Sequence, residues 1–215
     1  MNKKVAIEIV EKLKEVYPDA KCSLDFKTPF EMLVAVCLSA QCTDERVNKT
    51  TPSIFSKYDT PLDFANADLY DLENLVHPCG FYKNKAKNLK SAGEKIVADF
   101  GGIVPQTMDE LMTIPGVGRK SANVIMLEAF NNPQGIAVDT HCKRISNRIG
   151  FSKELEPTKI EKDLCKIIPR EFWKDVNHIF IWHGRKICSS QNPKCAICPV
   201  KNYCEFYKNH WQTVL

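Results

Sequence analysis

A threonine set just ahead of a helix-opening residue recurs along the first half of the chain, at Thr28-Pro29, Thr43-Asp44, Thr60-Pro61 and Thr107-Met108. Each hydroxyl can accept a bond from the unpaired amides of a first helical turn, and proline suits the first position because it has no amide to satisfy. Thr28 with Glu31, and Thr107 with Glu110, add the acid of a capping box. Stop signals answer the starts: Pro78 and Gly80 close a helix begun at Asp68, and Gly101-Gly102 close a long amphipathic run from Phe81 to Phe100. The spacing predicts further helices over the N-terminal stretch (apolar face Val5, Ile9, Leu13, Val16) and over 119–131, 140–149, 158–168 and 170–187. Period-two alternation is scarce, and no Asn-Gly or Asp-Gly hairpin signal occurs. The expected class is therefore all-α, with a break at Asn131-Asn132-Pro133-Gln134-Gly135 separating two helical lobes.

With 215 residues, the chain can bury the core of one domain or of two small ones. Its net charge of +4 permits a nucleic-acid partner without establishing one. Charged residues interrupt every apolar run of the N-terminal stretch, so neither a signal peptide nor a membrane span is expected, and the protein is placed in the cytoplasm with the nucleoid. In that reducing compartment the ten cysteines are not a disulfide framework.

Four of them crowd together as Cys188-x6-Cys195-x2-Cys198-x5-Cys204, while six are scattered. Four soft ligands in one short segment indicate a metal site. Structural zinc often uses two Cys-x2-Cys knuckles, and only one is present. Uneven loops suit four thiolates wrapped around a [4Fe-4S] cube, and Pro193 and Pro199 stiffen the wrap. Lying close to the end of the chain, such a cluster ties down the tail, which favours an architectural role.

Between two predicted helices runs Ile114-Pro115-Gly116-Val117-Gly118-Arg119-Lys120. Proline ends the first helix, and Gly116 and Gly118 allow a tight turn with close backbone approach. The second helix then presents its free amides, the arrangement that binds phosphate, and Arg119 adds charge. The bland alternative is an ordinary glycine-rich corner. Lys120, in the first turn, reads either as a second phosphate contact or as a nucleophile. A helix N-terminus and burial would both disfavour its ammonium form. Asp139 follows the apolar Ile136-Ala137-Val138 and precedes a helix. It reads as an N-cap and, if aimed at DNA, as a carboxylate that steadies a cationic sugar or handles protons. His141 reads as a DNA contact or a plain polar helix residue.

In this order the hairpin, Lys120, Val138-Asp139-Thr140-His141 and the four cysteines, with Leu38-Ser39-Ala40-Gln41 and Thr43-Asp44, resemble the endonuclease III family of DNA glycosylase/AP lyases. The resemblance spans nearly the whole chain. It implies a six-helix barrel with a helix-hairpin-helix over 22–132, a smaller lobe carrying the [4Fe-4S] cluster over 1–21 and 133–215, and a DNA cleft between them. It further implies a bifunctional enzyme, a monomer, that takes double-stranded DNA containing damaged pyrimidines or abasic sites. Lys120 would be the nucleophile, Asp139 the catalytic carboxylate, and Gln41 the residue that fills the gap left by the flipped base. Phe81 stands where a leucine wedge is common, and an aromatic ring can also insert between base steps. Gly116, Val117, Gly118, Arg119, His141 and Lys194 complete the implied DNA contacts. Cys42 replaces the family's frequent threonine, and the loop between Cys188 and Cys195 carries Lys194 as its single charge. Relatives that excise adenine or mismatched thymine generally lack the lysine. A non-catalytic DNA-binding module with a redox cluster does not account for Lys120 paired with Asp139, and an electron-transfer protein does not account for the hairpin.

Overall fold

A computed structural model describes the backbone of residues 1–211 and the side chains up to His210. Every regular element among the described residues is helical. In chain order these are α1 (Lys3–Val16), α2 (Pro29–Leu38), α3 (Asp44–Phe55), α4 (Pro61–Asn66), α5 (Leu69–Val76), α6 (Tyr82–Phe100), α7 (Met108–Leu111), α8 (Arg119–Glu128), α9 (Thr140–Ile149), α10 (Pro157–Ile167), α11 (Trp173–Lys186) and α12 (Glu205–Trp211). They form two compact units. One is Ser23–Gln134; the other joins Met1–Cys22 to the stretch from Gly135 onward.

In the Ser23–Gln134 unit, α2 is apolar apart from Glu31, and every residue from Phe30 to Leu38 is buried. Such a helix can only sit inside, and α3, α6 and α8 pack around it. Full burial of each large apolar side chain there stabilises the fold by about 1.5–3 kcal/mol. The α4 helix lies hard against α6 at Gly93, where a Cβ would stand 2.6 Å from the Pro61 carbonyl oxygen and 2.8 Å from the Ala65 amide. Lys90 then caps the end of α4, its Nζ donating to the carbonyls of Ala65 and Ala67 at 2.8 Å each.

The second unit packs α9 against α10, α11 and α12, and α1 against α11. Its core includes Ile9, Leu13, Ile145, Leu164 and Phe180, all fully buried. Gly150 ends α9 in the left-handed region at φ 101°, and the Glu205 side chain of α12 fills the place a Cβ would take.

Several local expectations need correction. The buried face of α1 is Ala6, Ile9, Val10 and Leu13, and Val16 is exposed, because the stripe of a 3.6-residue helix drifts off the anticipated line. The Thr28 hydroxyl accepts from the Glu31 amide at 3.1 Å, yet the Glu31 carboxylate accepts from Lys27 N at 2.7 Å, one residue beyond the Thr28 amide that a capping box requires. At Thr107 the Glu110 carboxylate accepts from the hydroxyl at 2.6 Å rather than from the Thr107 backbone amide. The complete reciprocal box is at Thr60, where Asp63 N donates to Oγ1 at 3.2 Å and Thr60 N donates to the carboxylate at 2.9 Å. The anticipated helix over 170–187 opens with a short 3₁₀ turn, Arg170–Phe172, before α11. The α12 helix carries no start signal of the kind used elsewhere and was not anticipated.

Candidate active site and nucleic-acid interface

The hairpin is built as its glycines suggest. After α7, Thr113 N, Ile114 N and Val117 N donate to the carbonyls of Glu110, Leu111 and Ile114 at 3.0–3.1 Å, winding the chain tightly. Ile114 and Val117 are buried and anchor the turn from inside. Gly116 sits at φ 85°, with α6 so close that a Cβ would be 3.3 Å from the Asn88 Cβ. Gly118 is the N-cap of α8, with no side-chain cap and no acid in the first turn. A Cβ on Gly118 would meet nothing within 4 Å, so the approach to the first-turn amides is open. The α8 N-terminus thus keeps the bonding capacity and positive potential that an anion needs. Arg119 and Lys120 both lie exposed on this turn. Lys120 is thus not buried, contrary to one of the two environments considered for it from the sequence.

In the same unit, Gln41 and Phe81 share one recess of about 240 Å³ with Ala40, Asn84, Asn88 and Gly116. Both adopt left-handed backbone conformations, φ 53° and 48°, that side-chain-bearing residues avoid. Such strain costs on the order of 1–3 kcal/mol per residue and concentrates at functional sites. Phe81 is 64% exposed, a large apolar side chain held in solvent. Its backbone conformation also explains why α6 starts at Tyr82 rather than Phe81.

Asp139 is the N-cap of α9, its Oδ1 accepting from Cys142 N at 2.7 Å. The cap fixes the carboxylate in direction while leaving it partly exposed. Two residues on, His141 meets the Arg144 guanidinium at 3.1 Å through Nδ1. Burial, reinforced by Arg144 and Arg185 against the opposing pull of Asp139, holds the imidazole below its ordinary pKa. At neutral pH it is therefore an uncharged hydrogen-bonding group.

Cys188, Cys195, Cys198 and Cys204 converge on one recess, bounded on its other sides by Arg148, His183 and Phe206. Among the described residues no three potential ligands draw together closely enough for a single metal ion. Four thiols lining one recess supply the all-thiolate donor set that an iron–sulfur cube takes. Burial, followed by repulsion among the ligands, pushes the Cys198 thiol up to about 11 and raises Cys195 and Cys204 as well. Thiols so placed ionise together only against the positive charge of bound iron. Arg148 organises the rim: it donates to Cys188 Sγ at 3.4 Å, to the Ser189 and Ser190 carbonyls at 2.6 and 2.8 Å, and lies 4.8 Å from the Phe206 ring centre. Lys194 stands exposed on this loop.

Sequence reasoning missed Arg148, Arg144 and Lys85. Lys85 alone left a trace: it falls in register with Leu89, Ala92 and Ile96 on the buried face of α6, a charge within an apolar stripe.

The helical architecture, the uncapped hairpin and the thiol recess define a helix-hairpin-helix protein of base excision repair. Residues 34–170 match the HhH-GPD superfamily of base excision DNA repair proteins, and 188–204 match the iron-sulfur binding domain of endonuclease III. The chain is 48% identical to the endonuclease III of Synechocystis sp. over 203 residues, covering 94% of this chain and 93% of that protein. It superposes with a TM-score of 0.91 on the structure of a non-covalent endonuclease III–DNA complex, at 42% identity and 99% coverage of both chains. A trapped endonuclease III–DNA covalent intermediate gives 0.90, also at 42% identity, covering 97% of this chain and 98% of that one. The chain belongs to the endonuclease III family. It is accordingly a DNA glycosylase/AP lyase that carries a [4Fe-4S] cluster.

Proposed function

We propose that the enzyme removes oxidised or ring-damaged pyrimidines from duplex DNA and cleaves the strand through Lys120. Amides of the α8 first turn, reached past Gly116, Val117 and Gly118, grip the phosphates with Arg119. Phe81 wedges between base steps and Gln41 fills the gap once the damaged base has swung out, which extrusion from the stack requires. The uncharged Lys120 amine attacks the sugar C1′. The C1′–N bond breaks, and the base leaves with the glycosidic electron pair and a proton. Ring opening gives a Schiff base between Nζ and C1′. Loss of a C2′ proton then expels the 3′ phosphate by β-elimination, and water releases the enzyme. Asp139, fixed by its cap on α9, stabilises the cationic sugar and manages protons.

His141 and Lys194 add backbone contacts. Cys188, Cys195, Cys198 and Cys204 hold the cluster, which when bound closes the C-terminal loop by iron–thiolate bonds. We further infer that the enzyme acts as a monomer in the cytoplasm, on nucleoid DNA; among the described residues no helix is long and apolar enough to cross a membrane.

The observation that carries this reading is Lys120 exposed on the first turn of an uncapped helix. Borohydride trapping on a duplex with one oxidised pyrimidine tests it. A covalent protein–DNA band should form and should vanish in Lys120→Gln while DNA binding persists. Equal loss of binding and cleavage would return Lys120 to a phosphate contact.

A further inference from the structure

The Lys85 side chain is buried, 7% exposed, with no carboxylate partner among the described residues. Its Nζ donates to the Leu38 carbonyl at 2.9 Å and to the Cys79 carbonyl at 2.8 Å. These oxygens belong to two different segments. Leu38 is the last residue of α2, three before Gln41. Cys79 ends the 3₁₀ turn His77–Cys79, two before Phe81. Carbonyls at helix ends are unpaired and carry negative partial charge, so one ammonium satisfies two orphan acceptors at once.

The consequence is mechanical. Gln41 and Phe81 are the two side-chain-bearing residues of one recess that are both left-handed and exposed, and Lys85 lines the same recess. Each sits just beyond a carbonyl held by the same Nζ. The amide of Lys85 itself donates to the Phe81 carbonyl at 3.1 Å, so Phe81 is tied to Lys85 by backbone as well. Two strained loops separated by forty residues of chain thus share one fastening point. An apolar residue would fill this space without burying a charge; the ammonium adds a fixed spacing between the loops.

We propose that Lys85 is a positioning residue for base extrusion, locking Gln41 and Phe81 in the geometry that enters the duplex. This rests on the reading of those two side chains as the inserted pair.

The test uses the full holoprotein carrying Lys120→Gln to stop chemistry, on a duplex with one oxidised pyrimidine beside 2-aminopurine. Unstacking raises the fluorescence of the probe. With Lys85→Met, or the milder Lys85→Gln if the first does not fold, the amplitude or rate of the rise should fall about tenfold or more, as expected when charge-assisted bonds to buried carbonyls are lost. Gly93→Ala, which disturbs the same unit away from the recess, supplies a destabilised control that keeps the rise. With Lys120 restored, the loss of cleavage at an abasic site should be about tenfold larger in duplex than in single-stranded DNA, where no gap needs filling. Gln41→Ala and Phe81→Ala should reproduce the fluorescence defect. If they do and the Lys85 variants match Gly93→Ala, the positioning role is overturned while the inserted pair stands. If Gln41→Ala and Phe81→Ala leave the rise intact, the reading of the inserted pair falls and the proposal falls with it.

Discussion

The recess at Gln41 and Phe81 and the recess at the four cysteines are both ringed by loops, yet they are maintained differently. The first rests on a largely apolar helix, α2, buried from Phe30 to Leu38, and on a lysine that closes two helix ends. Its order comes from the polypeptide. The second lies among short 3₁₀ turns, Cys195–Ile197 and Lys201–Tyr203, and Arg148 fastens the loop before them at the Cys188 thiol and the Ser189 and Ser190 carbonyls. Burial holds its Cys195, Cys198 and Cys204 thiols above their ordinary pKa, so its order is completed by the cluster. Strain can be stored where a packed core over-determines the loops, and this chain places its left-handed Gln41 and Phe81 there.

The largest expected effect breaks the two apart. Cys198→Ser should destroy ordered structure over the cysteine segment, because cluster binding and folding are one equilibrium. Limited proteolysis should then cut beyond Gly135 while Ser23–Gln134 resists. Simultaneous digestion of both would mean that the first unit is not self-sufficient. Next comes Gly93→Ala, which forces a methyl into the Pro61 carbonyl and the Ala65 amide. Overpacking against backbone should cost about 3 kcal/mol in denaturant melts. Gly150→Ala should cost less, about 1–2 kcal/mol, since the obstacle is the flexible Glu205 side chain and the penalty is mainly the left-handed backbone. If Gly150→Ala were the worse, Glu205 would be fixed more firmly than a side-chain terminus usually is.

The same contrast explains what the sequence discloses. Helix starts at Thr28, Thr43, Thr60 and Thr107 are legible because a cap acts within a few residues of itself. The hairpin glycines and the clustered thiols are legible for the same reason. The reciprocal partner of each cap is not, because whether Glu31 reaches Thr28 or Lys27 depends on how the preceding loop turns. Gln41 and Phe81 give no hint of positive φ, since only glycine or asparagine would have signalled it. Arg148 and α12 are long-range features, joined across more than forty residues, and no local pattern encodes them. Lys85 was readable in principle as a charge on an apolar stripe; its two carbonyl partners were not.

A smaller effect sharpens the contrast between caps. The double variant Thr60→Ala/Asp63→Ala removes both halves of a reciprocal box and should destabilise the Ser23–Gln134 unit by about 1–2 kcal/mol in denaturant melts, against roughly 1 kcal/mol for Thr107→Ala.

The smallest effect concerns His141, in the unit that the cluster completes. Burial is the main cause of its lowered pKa, and Arg144 and Arg185 push the same way. Above the ordinary value of 6.5 the imidazole is neutral in folded and unfolded chains alike, so its titration leaves stability unchanged. As pH falls through 6.5 the unfolded chain takes up a proton that the native state still refuses, and stability declines until the lower native pKa is reached. His141→Gln, neutral throughout, should flatten that part of the decline. Asp139 opposes the shift, so Asp139→Asn, which still caps α9, should move the native pKa lower and extend the decline to more acid pH. Imidazole proton shifts followed by NMR read both changes. A native pKa that rises in Asp139→Asn would show that the cap carboxylate does not face the ring as an anion, and would remove the electrostatic link between Asp139 and its neighbour on α9.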